Sequence, residues 1–380
     1  SWMVELLVGH LPREGGIECF HIDSRFSDSG EQIGRFSFKK LLRLPGYCLK
    51  AILWKFKYGI DTLYYVPAPA CRTPFWRDLL VMAFCRPFFK NLVLHWHARG
   101  LGAWIAGSAS PLERFLGRAL LGRADLSVVL AEDNRADAGL LSPRRIAVIP
   151  NSIPDPCQDF AASMLPMRRA RVPWNMNPTA SASDRFRLLF IGLCHEEKGI
   201  FDAIEAVFIA NRRLEGAGDP RRFTLTVAGT FPDEAVRLRF DRCLAEPSAQ
   251  GTLLYAGFVS GTEKDRLFRE HDCLVFPTFY SAESFGLVVV EAMAFGMPVI
   301  TTRWRAVPSL LPMGSDDSNV VPVRNAAALA GAILGEAQRG YDPAWRRRFE
   351  TEFQLPGFIS RFETALTGMV GAAGDGGRSR

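Results

Sequence analysis

Two successions of short apolar runs, separated by segments of helical length, constrain this chain more than any other feature. ECFHID (18–23), TLYYVPA (62–68), NLVLHWH (91–97), LSVVLAE (126–132) and RIAVIPN (145–151) form the first. RLLFIG (187–192), FTLTVAG (223–229), GTLLYAG (251–257), DCLVFPT (272–278) and MPVITT (297–302) form the second. Runs this short, rich in β-branched and aromatic residues, read as strands. Their continuous apolar character predicts strands buried on both faces, as in parallel sheets joined by crossover helices. The predicted fold class is α/β, with two doubly wound Rossmann-like domains. Residues 156–184 exchange apolar periodicity for Pro, Asn, Ser and Arg, and predict a linker or mobile loop. The expected domains are 1–155 and 185–355, with 356–370 crossing back to complete the first and 371–380 forming a disordered tail.

At 380 residues the chain is long enough for two cores. No stretch of about eighteen apolar residues runs free of charge, and SWMVELLVGHLPREGG lacks the basic end and cleavage site of a signal peptide, so the expected location is cytoplasmic. Eight cysteines with no C-x-x-C pair predict reduced thiols, no disulfide and no zinc. The net charge of +6 favours anionic partners such as phosphates or lipid head groups. Nucleic acid is not expected, because no binding motif accompanies that charge.

Ligands of open parallel sheets bind beyond the C-terminal strand ends, and paired domains make a cleft, so candidate residues are those that follow strands. RLLFIGLCHEEKGIFDAIEAV (187–207) ends a strand at Gly192 and carries His195 and Lys198 before a helix opens. A lysine at a helix start suits a phosphate, although taken alone Lys198 is more simply a solvated first-turn residue. FPTFYSAESFGLVVVEAMAFGMPVI (276–300) sets Glu283 in an exit loop and Glu291 two turns into an apolar helix. Gly286 would leave the first N–H groups of that helix approachable. Carboxylates in apolar company need donors, which sugar hydroxyls or an internal ion pair would both supply. NLVLHWHARG ends in two histidines; with Trp96 between them, His95 and His97 are expected to face opposite ways, His97 towards the cleft, with a core or capping role as the alternative. Arg99 follows in the loop.

AESFGLVVVEAMAFGMPVITT, with seven residues between its glutamates, resembles the nucleotide-sugar signature of the retaining glycosyltransferase family 4. IGLCHEEKGIFDAIEAV, FTLTVAG, LLYAGFVSGTEKDRLFREHDCLVFPT and RADLSVVLAEDNRADAGLLSPRRIAVIPNSI resemble further parts of it, so the likeness covers roughly residues 90–310. It implies a GT-B fold with a central cleft, a nucleotide-diphosphate sugar donor, and a hydroxyl acceptor in polysaccharide or lipid-linked glycan synthesis, with no cofactor and no metal. By the same resemblance Lys198, beside Gly192, would contact the diphosphate and Glu291 the ribose hydroxyls. The N–H groups of Phe285, Gly286 and Leu287 would receive phosphate oxygens. Glu283 and His97 would be the catalytic pair near the donor sugar, with Arg99 and His195 as further substrate contacts.

Two departures bear on activity. Leu193 stands where many members carry an arginine, and the chain begins in what reads as the helix after the family's first strand and glycine-rich loop, as though that strand were missing. The second leaves a rival reading, a non-catalytic nucleotide-sugar-binding protein or partner subunit. GRFSFKKLLRLPGYCLKAILWKFKYG (34–59) interleaves Lys39, Lys40, Arg43, Lys50, Lys55 and Lys57 with large apolar residues. This predicts a basic amphipathic helix, either on an anionic membrane surface or packed with a solvated face. The family resemblance favours the first, peripheral at the inner face of the membrane.

Overall fold

The computed structural model describes residues 2–14, 17–23, 43–176, 181, 184–281, 283–314 and 316–375. It divides into two units, Ser1–Asn151 with Pro356–Arg380, and Ser152–Leu355.

In the first unit, β1 (Thr62–Tyr65), β2 (Asn91–Trp96), β3 (Leu126–Val129) and β4 (Ile146–Val148) form a parallel sheet in chain order. The helices are α1 (Trp2–Glu14), α2 (Leu44–Tyr58), α3 (Arg72–Cys85), α4 (Leu101–Gly107), α5 (Pro111–Leu120) and α6 (Arg135–Gly139). Local signals place their ends. Ser110 and Glu113 form a reciprocal capping box ahead of Pro111, and α2 stops at Gly59 in the left-handed conformation. Phe75, Met82, Leu94, Ile105 and Val129 fill the core between helices and sheet.

The expected strand at 18–23 is not one: residues 17–23 have no regular structure, and Phe20 stacks on Tyr58 at 4.6 Å and meets Trp54 edge-on. Its apolar character serves packing on α2 instead of a sheet. The basic residues Lys39 and Lys40 lie outside the described residues. A last helix, Leu355–Asp375, lays Phe362 against Tyr64 and His95. It runs into the expected disordered tail as far as Asp375; the rest of that tail, 376–380, lies outside the described residues.

In the second unit, α7 (Leu165–Ala170) precedes β5 (Arg185–Ile191), α8 (Ile200–Gly216), β6 (Arg222–Ala228), α9 (Glu234–Ala245), β7 (Leu253–Gly257) and α10 (Gly261–Glu270). Then follow β8 (Cys273–Phe276), α11 (Leu287–Ala294), β9 (Val299–Thr302), α12 (Asp316–Asn319), β10 (Val320–Val321), α13 (Ala326–Ala337) and α14 (Ala344–Arg348). The parallel sheet has the order β10-β9-β8-β5-β6-β7. The chain winds outwards from β5, then returns to β8 on its other side, so the two strands meet at the point where strand order reverses. β10, two residues long, is too short to have a periodicity.

The expected linker is part of this unit. Arg168 is buried and donates to the carbonyls of Phe295, His271 and Phe268, while Arg346, also buried, is paired with Asp155 at 2.5 Å. Arg168, which looked like loop polarity, is therefore an internal tie. Arg168→Met should leave three carbonyls unpaired and cost at least about 3 kcal/mol in urea denaturation of the full chain, whereas loss below about 1 kcal/mol would mean water replaces the guanidinium.

Candidate functional site

β5 and β8 are central and buried, and their exit loops leave the sheet side by side at the reversal. After β5 come Gly192, His195 and a short turn of 3-10 helix, Glu196–Lys198. His195 caps that turn, its Nδ1 accepting from the Glu197 N–H at 3.1 Å, and its ring meets Tyr280 edge-on. Gly199 ends the turn with φ +78°; a Cβ there would lie 2.2 Å from the Pro277 carbonyl oxygen of the neighbouring loop. The two loops are tied further where Phe279 N–H donates to the Glu197 carbonyl at 2.7 Å and Ser281 N–H to its carboxylate at 3.0 Å.

This clamp brings Lys198 Nζ to 2.6 Å from Glu283 Oε2. Thr278 Oγ1 donates to the same oxygen, and the ammonium lies over the Tyr280 ring, 4.8 Å from its centroid. Both charges are largely withdrawn from water, with side chains 17% and 9% exposed. A pair so placed holds a cation ready for an incoming anion and a carboxylate ready for hydroxyl donors.

α11 starts just beyond. Gly286, its N-cap, has φ +85°, and no side chain caps the first turn, so backbone N–H groups there are left for another acceptor. Phe285 is buried against Phe353, and Leu287 is the first helical residue. Glu291 sits one turn into α11 rather than two, and its carboxylate pairs with Lys264 Nζ of α10 at 2.7 Å. Burial pushes the Glu291 carboxyl above the usual carboxylate range, and Lys264 pulls it the other way. Lys198, Glu283, Phe285, Gly286, Leu287, Glu291, Gly192 and His195 are therefore all carried by the β5 and β8 exits and α11. Lys264 and Glu197 were missed: a lysine and a glutamate among many carry no signal until the fold sets them beside a partner.

His97 and Arg99 follow β2 in the first unit, Arg99 exposed, in a loop fixed by buried Asp137, which accepts from the N–H groups of Gly100 and Ala103. The expected opposite facing of the histidines is overturned. Their ring centroids are 4.1 Å apart, because residues two apart along an extended chain share a face and it is Trp96 that points away. His95 is fully buried, with Nδ1 2.6 Å from the Tyr64 hydroxyl, while Nε2 of both His95 and His97 is buried without a partner. Burial pushes the His97 imidazole down to about 4, and burial together with His97 holds His95 well below its ordinary range.

Comparison with known proteins locates the resemblance. Residues 185–337 match the family model described as Glycosyl transferases group 1. A glycogen synthase of Mycobacterium tuberculosis is 30% identical over 161 residues, 42% of this chain and 35% of its own length. The O-antigen chain mannosyltransferase C of Escherichia coli is 23% identical over 195 residues, 50% of this chain and 48% of its own. The chain thus spans less than half of the length of the curated relatives it matches. Among solved structures, Anabaena HepE in complex with UDP aligns with a TM-score of 0.62 at 14% identity, over 85% of this chain and 82% of its own. That likeness establishes the fold of two parallel-sheet α/β units.

Two outcomes test this geometry. Gly199→Ala should cost at least about 2 kcal/mol by strain alone, read from urea unfolding, and an unchanged midpoint would mean the loop clamp is not tight. His97 is neutral when folded and protonates near 6.5 when unfolded, so its contribution is complete above pH 6.5 and falls away between about 6.5 and 4. His97→Gln should flatten the loss of stability across that window by up to ~1.4 kcal/mol per pH unit; an unchanged slope would contradict the burial.

Proposed function

We propose that this chain, whose residues 185–337 match group 1 glycosyl transferases, is a retaining glycosyltransferase moving a sugar from a nucleotide-diphosphate donor to a hydroxyl acceptor. The observation that carries this is the Lys198–Glu283 pair at the reversal of strand order, beside the uncapped start of α11. Sheets of this kind take ligands at that point.

The Lys198 ammonium and the N–H groups of Phe285, Gly286 and Leu287 face the donor diphosphate and offset the negative charge that grows on it as it leaves, so transfer proceeds without a metal or cofactor. With Leu193 in place of an arginine, Lys198 is the main cation of its loop, and Gly192 and the His195 cap hold the turn that presents it. As Lys198 turns to phosphate, Glu283 is released to accept hydroxyls of the transferred sugar. Glu291, paired with Lys264, accepts the ribose hydroxyls. His97 and Arg99 act on the acceptor side.

The names of the relatives favour a polysaccharide or lipid-linked glycan as acceptor, and the UDP complex of HepE favours a uridine donor. The reading includes work in the cytoplasm at the membrane surface, with α2 as the described part of the basic segment 34–59. No described helix is long and apolar enough to cross a membrane.

Incubation with UDP-, GDP- and ADP-sugars, with and without acceptor and EDTA, tests the proposal by nucleotide release. Glu291→Ala should weaken donor binding about tenfold or more, the loss of charged hydrogen bonds, while His97→Ala should spare binding and lower turnover. Failure to bind any nucleotide sugar defeats the reading. Binding without turnover in the full protein would instead favour a partner subunit.

A further inference from the structure

Helix α3, RTPFWRDLLVMAFC, bears no charge after Asp78. A helix with no polar side is ordinarily buried all round. One side of α3 is: Phe75, Leu79, Met82 and Cys85 enter the core. The other side, Trp76, Leu80 and Phe84 at four-residue spacing, faces solvent.

Its neighbours repeat the pattern. On α2, Leu49, Leu53 and Phe56 fall on one outward stripe, and Phe56 meets Phe88, just beyond α3, edge-on at 6.1 Å. On α5, Leu112 and Phe115 point out. α5 is fastened to α3 by its buried Glu113, which accepts from Trp76 Nε1 at 3.0 Å and pairs with Arg72 at 2.9 Å. Phe56, Phe84 and Phe115 are 69%, 50% and 68% exposed, far from the scattered single apolar residues of an ordinary surface.

Charge identifies the occupant. The only acids on these three helices, Asp78 and Glu113, are buried and paired with Arg77 and Arg72, and Lys55 is paired with Asp61, so the charge left to face solvent is positive and comes from Lys50, Lys57, Arg114 and Arg118. A second copy would meet like charge with like charge. An anionic bilayer takes the rings and aliphatic chains at its acyl boundary and the cations at its head groups.

We propose that α2, α3 and α5 together form one face that docks on an anionic lipid surface. This rests on the peripheral-membrane reading above and extends it from one helix to three.

Flotation of the full chain with phosphatidylcholine vesicles, with and without phosphatidylglycerol, tests it. The protein should float with the anionic vesicles only and be released by high salt. The paired substitution Phe84→Ser and Phe115→Ser, which leaves α2 intact, should weaken vesicle binding at least about tenfold with nucleotide-sugar binding unchanged. Vesicle binding equal to wild type in that variant, with loss only in Leu53→Ser, would overturn the three-helix face while sparing the single-helix reading. Absence of vesicle binding by the wild type, or a dimer in sedimentation that the paired substitution dissociates, would also overturn it. Failure to bind nucleotide sugars would count against the donor site alone.

Discussion

The second unit is organised around a single ion pair, Lys198 with Glu283, made between residues 85 positions apart. Its existence requires that β5 and β8 be neighbours, which follows only from the reversal of strand order, and that their exit loops be clamped. Gly199 permits the clamp by having no side chain where the Pro277 carbonyl approaches. Glu197 holds it from the other side through its own carbonyl and carboxylate. Two charges so largely removed from water are costly separately and tolerable together.

The same economy of buried polarity recurs elsewhere. Glu291, on an otherwise apolar helix, is answered by Lys264, and Arg168 by three carbonyls at element ends. His95 and His97 depart from it, each with an imidazole nitrogen that is buried and unanswered. Burial disfavours the charged form of both rings and holds them neutral.

Much of this was legible in the sequence. Nine of the ten apolar runs became strands, because a residue buried on both faces of a parallel sheet must be apolar wherever it falls in the run. The tenth, at 18–23, shows the limit: apolar spacing reports burial, and packing on α2 buries aromatic residues as well as a sheet would. The candidate residues of the second unit come together because loops at the C-terminal edge of a parallel sheet converge whatever their composition. The segment 156–184 was misjudged because polarity was taken for exposure, and Arg168 is polar and buried.

The sequence by itself determined the two α/β units and the positions of Gly192, Lys198, Glu283 and Glu291 at strand exits and on α11. These depend on local periodicity and residue chemistry. Only the tertiary structure decided which charge answers which, that the two histidines share a side, and that the apolar side of α3 lies bare beside two others like it. Those are contacts between elements distant in the chain, and a side chain's partner is fixed by strand order and helix packing, which residue spacing does not encode.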